Sequence, residues 1–269
     1  MRFSRFVGID WSGARGVRHA SVQVAMCAAK GPVRLVVPPG GVWSRTGVLD
    51  WLGGFSGDVL VGMDAGFGFA AVPPFLGPAR DLWAEVDAVC AGEPDLGGHG
   101  FVAHRREAFW MGAADGPRAA RAHLRVCERL YAERRLGVPT SNFVLLGASQ
   151  VGKASLSAMR LLNRLGWAVW PFDPLPRSGP VIAEIYCQAF GRMAGVRGKM
   201  RNRDVLAGAM RHFGAEVPDG LGPTFADHVG DALVTAAGLR AIAGQSHWWA
   251  PEAMTPEIAV REGWTFGIA

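Results

Sequence analysis

Four places in the 269-residue chain set a carboxylate where its neighbours are otherwise apolar. Asp10 closes the apolar run 5–9 and precedes Trp11-Ser12-Gly13-Ala14. Asp64 closes the run 58–63 and precedes Ala65-Gly66-Phe67-Gly68. Glu184 lies inside Val181-Ile182-Ala183-Glu184-Ile185-Tyr186, where an unpaired charge is costly. Asp227 and Asp231 stand four residues apart and share a helix face, with His228 three before Asp231. Carboxylates brought from separate strands and one helix to one point make a site for a hard divalent cation such as Mg²⁺ or Mn²⁺. Two such ions can activate water and stabilise a leaving oxygen in phosphodiester hydrolysis.

Plainer roles stand beside these. Asp10 and Asp64 could each close an Asx turn before the small residues that follow. Glu184 could pair with an arginine in the core. Thr224-Phe225-Ala226-Asp227 fits a capping box, which gives Asp227 a local role. His228 could be a supporting or surface group. Asp231 has no comparable local role.

The elements that must carry these groups follow from pattern. Apolar runs 5–9, 20–28 and 33–37, separated by turn residues, predict a three-stranded antiparallel meander. A short helix over 46–53 and a buried strand over 58–64 come next. The stretch 94–116 reads as an irregular loop. The spacing predicts a helix over 117–136, opened by Pro117 and stopped before Gly137. A strand over 142–146 and a helix over 153–165 follow, then a strand over 181–186 and helices over 200–213 and 226–243. Strands first, then strands and helices mixed, predict an α/β fold with a mixed sheet.

The segments Val7-Gly8-Ile9-Asp10-Trp11-Ser12-Gly13, Val61-Gly62-Met63-Asp64-Ala65-Gly66-Phe67-Gly68, Ala183-Glu184-Ile185-Tyr186, Asp227-His228-Val229-Gly230-Asp231-Ala232-Leu233 and Glu262-Gly263-Trp264-Thr265-Phe266 carry a resemblance. Together they resemble an uncharacterised family of predicted RNase-H-like nucleases, and His-x-x-Asp-Ala is also similar to Holliday-junction resolvases. The resemblance implies an RNase-H-like mixed sheet of five strands flanked by helices, with acidic strand ends binding Mg²⁺ or Mn²⁺. It makes Asp10 the first-strand ligand, Asp64 the fourth-strand ligand, and Asp231, with Asp227 or His228 beside it, the helix ligand. Glu184 matches the family's Glu-Ile/Val-Tyr pattern, with Cys187 where a proline commonly follows the tyrosine. The stretch 73–170 resembles the core poorly and reads as a largely helical insertion within a single domain spanning 1–269.

Two further constellations compete for attention. Residues 145–154 satisfy most of the phosphate-loop pattern GxxxxGK[ST], but Ala154 removes the hydroxyl that would bind Mg²⁺, and Ser155 falls about 100° round the helix. Lys153 is then a candidate phosphate contact near a helix start. Arg197, Lys199, Arg201 and Arg203, and the run His104-Arg105-Arg106-Glu107-Ala108-Phe109-Trp110, are candidate nucleic-acid contacts. A solvated surface is the alternative for both.

Composition sets the outer bounds. The chain is 49% hydrophobic and 19% charged, a globular profile, with no apolar run near the about 18 residues a membrane span needs. Asp10 and Arg15 interrupt any secretory h-region, and four scattered cysteines form no CxxC pair, so a cytoplasmic protein is expected. A formal charge of +5 permits a nucleic-acid partner; homo-oligomerisation is left open. Three readings follow: a metal-dependent nuclease, an ATP-dependent phosphotransferase or ATPase of the actin-like branch, and a non-catalytic nucleic-acid-binding module.

Overall fold

Alternation along the first strand decides which side of the sheet each later group joins. The computed structural model describes residues 2–146 and 151–268. In chain order its elements are β1 (Arg5–Asp10), β2 (Gln23–Ala28), β3 (Arg34–Leu35), α1 (Arg45–Gly53), β4 (Val59–Asp64), α2 (Ala79–Val89), α3 (His99–His104), α4 (Val126–Glu133), α5 (Val151–Leu165), β5 (Ala168–Trp170), β6 (Val181–Glu184), α6 (Cys187–Met193), α7 (Arg203–His212), α8 (Asp227–Ile242) and α9 (Pro256–Arg261). The strands form one mixed sheet in the order β3-β2-β1-β4-β6-β5. β1, β2 and β3 are antiparallel neighbours, as the meander predicted, while β4, β6 and β5 run parallel to β1. The α/β class is as expected; the sheet has six strands against the expected five, because the three-residue β5 adds an edge.

Each face of the sheet is covered by helices, so both carry apolar side chains. Val7, Ile9, Val61 and Met63 pack with α1, α2, α3 and α5. Phe6, Ala25 and Leu60 pack with α6, α7 and α8 on the other side. Full burial of Phe6 or Leu60 contributes roughly 1.5–3 kcal/mol each. Strand alternation then assigns Asp10 and Asp64 to the α8 side, with Phe6 and Leu60. A glycine on β1 lets α8 come close: a Cβ at Gly8 would lie 2.6 Å from the Ala232 carbonyl oxygen.

The stretch 73–170 supplies α2, α3 and α5 to one face and β5 to the sheet edge. The expected helix over 117–136 is helical only over α4; residues 118–120 make a single 3₁₀ turn. Arg125 has left helical geometry at φ −67°, ψ 165°, because its guanidinium is drawn into the core, and that tertiary ion pair outweighs local propensity. The expected strand over 142–146 reduces to one bridge between Val144 and Trp110. The pattern reading passed over α2, although its buried residues Ala79, Trp83 and Val86 carry a helical period. Among the described residues no helix is long and apolar enough to cross a membrane.

Candidate functional site

The parallel ladder between β1 and β4 sets Asp10 directly beside Asp64 at the ends of adjacent strands, where neighbouring backbones lie about 4.8 Å apart. The start of α8 faces them across a cleft of about 590 Å³ that Asp10, Asp64, Asp227, His228 and Asp231 all line. The structure therefore brings together five of the residues that the sequence singled out. His228 Nδ1 is 2.8 Å from Asp10 Oδ2, and Asp64 Oδ2 accepts the Cys187 backbone N–H at 3.0 Å.

These carboxylates are electrostatically uncomfortable. Burial, then repulsion by Asp10 and Asp231, pushes Asp64 up to about 8. Burial, then Asp10 and Asp227, pushes Asp231 up to about 7. Burial also raises Asp10, against the hydrogen bond from His228. That same bond, accepted by Asp10, raises His228 despite its own burial. Asp227 differs: burial opposes its charge, but the Lys199 ammonium, a backbone N–H bond and His228 together hold it below the ordinary range. Lys199 Nζ pairs with Asp227 Oδ2, and Arg201 lies 3.4 Å from its other oxygen. The capping box does not form, since Ala226 is the N-cap and makes no side-chain cap bond. Asp227 instead spends its oxygens on these two exposed cations.

The donor set fits a hard cation in chemistry, being carboxylate oxygens that repel one another and an imidazole already bonded to one of them. Among the described residues no three His, Cys, Asp or Glu side chains form a group that could close on one ion.

Glu184 stands apart. It is paired across the ladder with Met63, and laterally paired residues share a face, so its side chain leaves the sheet opposite Asp64. There the buried Arg125 donates to both its oxygens, the Phe67 N–H donates to Oε2 at 2.7 Å, and the Thr265 hydroxyl donates to Oε1 at 2.6 Å. Arg125 also holds Glu128 at 2.9 Å. The core ion pair, weighed from the sequence as the plainer role, is the arrangement found.

The basic candidates divide. Lys199 lines the cleft, Arg201 reaches Asp227, and Arg197 is exposed. Arg203 donates to the Pro218 and Leu221 carbonyls and so braces a loop. Lys153 sits in the first turn of α5, which packs so closely on the turn after β1 that a Cβ at Gly13 would lie 2.3 Å from the Ala154 nitrogen. Residues 147–150 of the phosphate-loop pattern lie outside the described residues. The Ser155 hydroxyl is bonded to the Val151 carbonyl at 3.0 Å. In the other basic run, Arg105 pairs with Glu85 at 2.6 Å and Arg106 with Asp115 at 2.7 Å.

Sequence reasoning missed the clamp on the loop after Asp10. Buried Arg45 donates to the carbonyls of Ser12, at 2.9 Å, and Ala14, both of which line the cleft. Its third contact is the Asp95 carbonyl at 3.1 Å, while the Asp95 carboxylate holds His19 Nε2 at 2.8 Å and the Thr46 N–H at 2.9 Å. Burial, then the Arg45 charge, keeps His19 below its ordinary value, against the bond to Asp95. No motif joins residues 19, 45 and 95, and only the fold reveals them as a unit. No family model, curated protein or solved structure matches this chain.

Proposed function

We propose that the cleft is the active site of a metal-dependent nuclease, an enzyme hydrolysing phosphodiester bonds on an RNase-H-like sheet. The observation that carries this reading is the juxtaposition of Asp10 and Asp64 in register on adjacent parallel strands, facing Asp231, with charges that burial and mutual repulsion both oppose. Such a cluster is best relieved by a cation. Mg²⁺ keeps several waters and takes one or two carboxylates, so two adjacent aspartates suffice as its protein shell. The strand order with an antiparallel β2 beside a central β1 supports the same fold assignment.

Asp10 and Asp64 would hold Mg²⁺ or Mn²⁺, and Asp231 would share the load from α8. When bound, the ion supplies Lewis acidity: it neutralises phosphate oxygens and acidifies water. His228, which lines the cleft, would orient Asp10 through Nδ1. Lys199 and Arg201 are positioned to pass from Asp227 to a substrate phosphate, which offers more acceptor oxygens than one carboxylate. Arg45 would fix the loop 12–14 in the wall of the cleft. Glu184 has a positioning role only, fixing Arg125 and the Phe67 turn next to Asp64.

The test is hydrolysis of single-stranded, duplex, hybrid and branched nucleic acids with Mn²⁺, by the whole chain and by Asp10→Asn and Asp64→Asn. Cleavage that disappears in both variants, while their thermal unfolding stays cooperative, is the expected result. Absence of cleavage on every substrate, with no Mn²⁺-induced rise in Tm, overturns the reading.

A further inference from the structure

Asp10 and Asp64 stand side by side, and each has one oxygen already taken. Asp10 Oδ2 is bonded to His228 Nδ1 at 2.8 Å, and Asp64 Oδ2 accepts the Cys187 backbone N–H at 3.0 Å. Among the described residues no hydrogen bond reaches Asp10 Oδ1 or Asp64 Oδ1, and both residues line the cleft. The donor on Asp64 is the more firmly seated of the two. His228 is a side chain, 39% exposed, that can turn about its own bonds, whereas the donor of Cys187 is part of the backbone. Cys187 is fully buried, and its Sγ accepts the Thr235 hydroxyl at 3.2 Å. Thr235 is itself fully buried on α8, one turn beyond Asp231. The Cys187 side chain thus anchors this residue to α8 while its amide holds Asp64.

We propose that the Cys187 amide determines which cation the cleft takes: by holding Oδ2 it limits Asp64 to one oxygen, and so favours Mg²⁺ over Ca²⁺. The inference rests on the metal-dependent nuclease reading and names the group that sets its ion preference. Ca²⁺ takes about six to eight oxygens and accepts both oxygens of one carboxylate, whereas Mg²⁺ demands near-ideal octahedral geometry, keeps several waters and is bound through one or two carboxylates. Two neighbouring aspartates that each offer one oxygen meet the second requirement and fall short of the first. Releasing Asp64 Oδ2 would add an oxygen that the larger ion can use and the smaller cannot. Cys187 is a positioning residue in this role, since it touches Asp64 and neither the ion nor the substrate.

Deleting the amide N–H tests this. Residue 187 opens α6 after an extended Tyr186 (φ −124°, ψ 106°), a place where proline is tolerated. Cys187→Pro removes the N–H, and Cys187→Ala is the reference that keeps it while losing the thiol. Mn²⁺ bound to the whole chain, followed by electron paramagnetic resonance, is displaced with Mg²⁺ and with Ca²⁺, and the ratio of the two displacement constants is compared. Wild type and Cys187→Ala should both favour Mg²⁺. Cys187→Pro should shift the ratio about tenfold towards Ca²⁺, the scale of one hydrogen bond to a charged group. If Cys187→Pro does not unfold cooperatively, lactic acid in place of alanine at position 187 replaces the amide by an ester and makes the same deletion without the ring. A ratio unmoved by loss of the N–H, an equal shift in Cys187→Ala, or no preference for Mg²⁺ in wild type overturns the proposal. Cleavage in Mn²⁺ is read separately. Hydrolysis with an unmoved ratio removes this role of Cys187 and leaves the nuclease, whereas a shifted ratio without hydrolysis leaves the role and removes the nuclease. No Mn²⁺ binding by wild type overturns both.

Discussion

Two acidic clusters flank the ends of β4 and β6, and they solve the same electrostatic problem in opposite ways. On one face of the sheet Glu184 and Glu128 are buried around Arg125, with backbone and hydroxyl donors filling the remaining positions. On the other, Asp10, Asp64 and Asp231 share a cleft in which one imidazole is the principal counterweight, and two of them are held far above the usual carboxylate range. A compensated cluster keeps its charges in the core, where loss of one partner is costly. An uncompensated one costs stability and is kept where it can bind something positive.

That contrast is broken most directly at Arg125. Arg125→Met leaves two glutamates buried without their cation and should lower unfolding free energy by about 3–5 kcal/mol, measured by denaturant titration. Asp64→Asn should do the reverse at alkaline pH, raising Tm without metal, while reducing Mn²⁺-dependent kcat by at least about a hundredfold. If both variants lose stability, the two clusters are alike and the contrast fails.

pH sharpens the same point. Asp64 and Asp231 bind protons more tightly in the fold than in the unfolded chain, so their contribution is fully present below the ordinary aspartate range. It is lost as pH rises towards about 7 and 8. Tm in EDTA should therefore fall across that window, and saturating Mg²⁺ should flatten the fall. The smallest effect is expected at the exposed cations. Lys199→Ala with Arg201→Ala should leave stability within about 1 kcal/mol and raise KM several-fold with kcat little changed.

The sequence made the central part of this arrangement readable because β1 and β4 are short, apolar and each end on an aspartate; even register was implicit in two runs of similar length. The face taken by Glu184 was also readable in principle. Alternation from Ile182, which shares the core of Val7 and Met63, sends Glu184 the same way, opposite Asp10. Arg125 was hidden because its stretch has the composition of a helix, and only a partner 59 positions away draws it out. The clamp through Arg45 and Asp95 was hidden for a related reason: Asp95 adopts φ 48°, a left-handed conformation taken here by a residue that is not glycine.

Gly8 touches no substrate and no ion, yet it works as a spacer of zero width. A single methyl at this position would collide with the backbone of α8 at Ala232 and Ala236. Backbone cannot rotate aside as a side chain can, so the helix itself must retreat, taking Asp231 and His228 with it. Gly8→Ala would then behave as an active-site lesion written in the core. A mutational scan of this protein should find inactive, well-folded variants clustered along the seam between β1 and α8, several residues from any charged group.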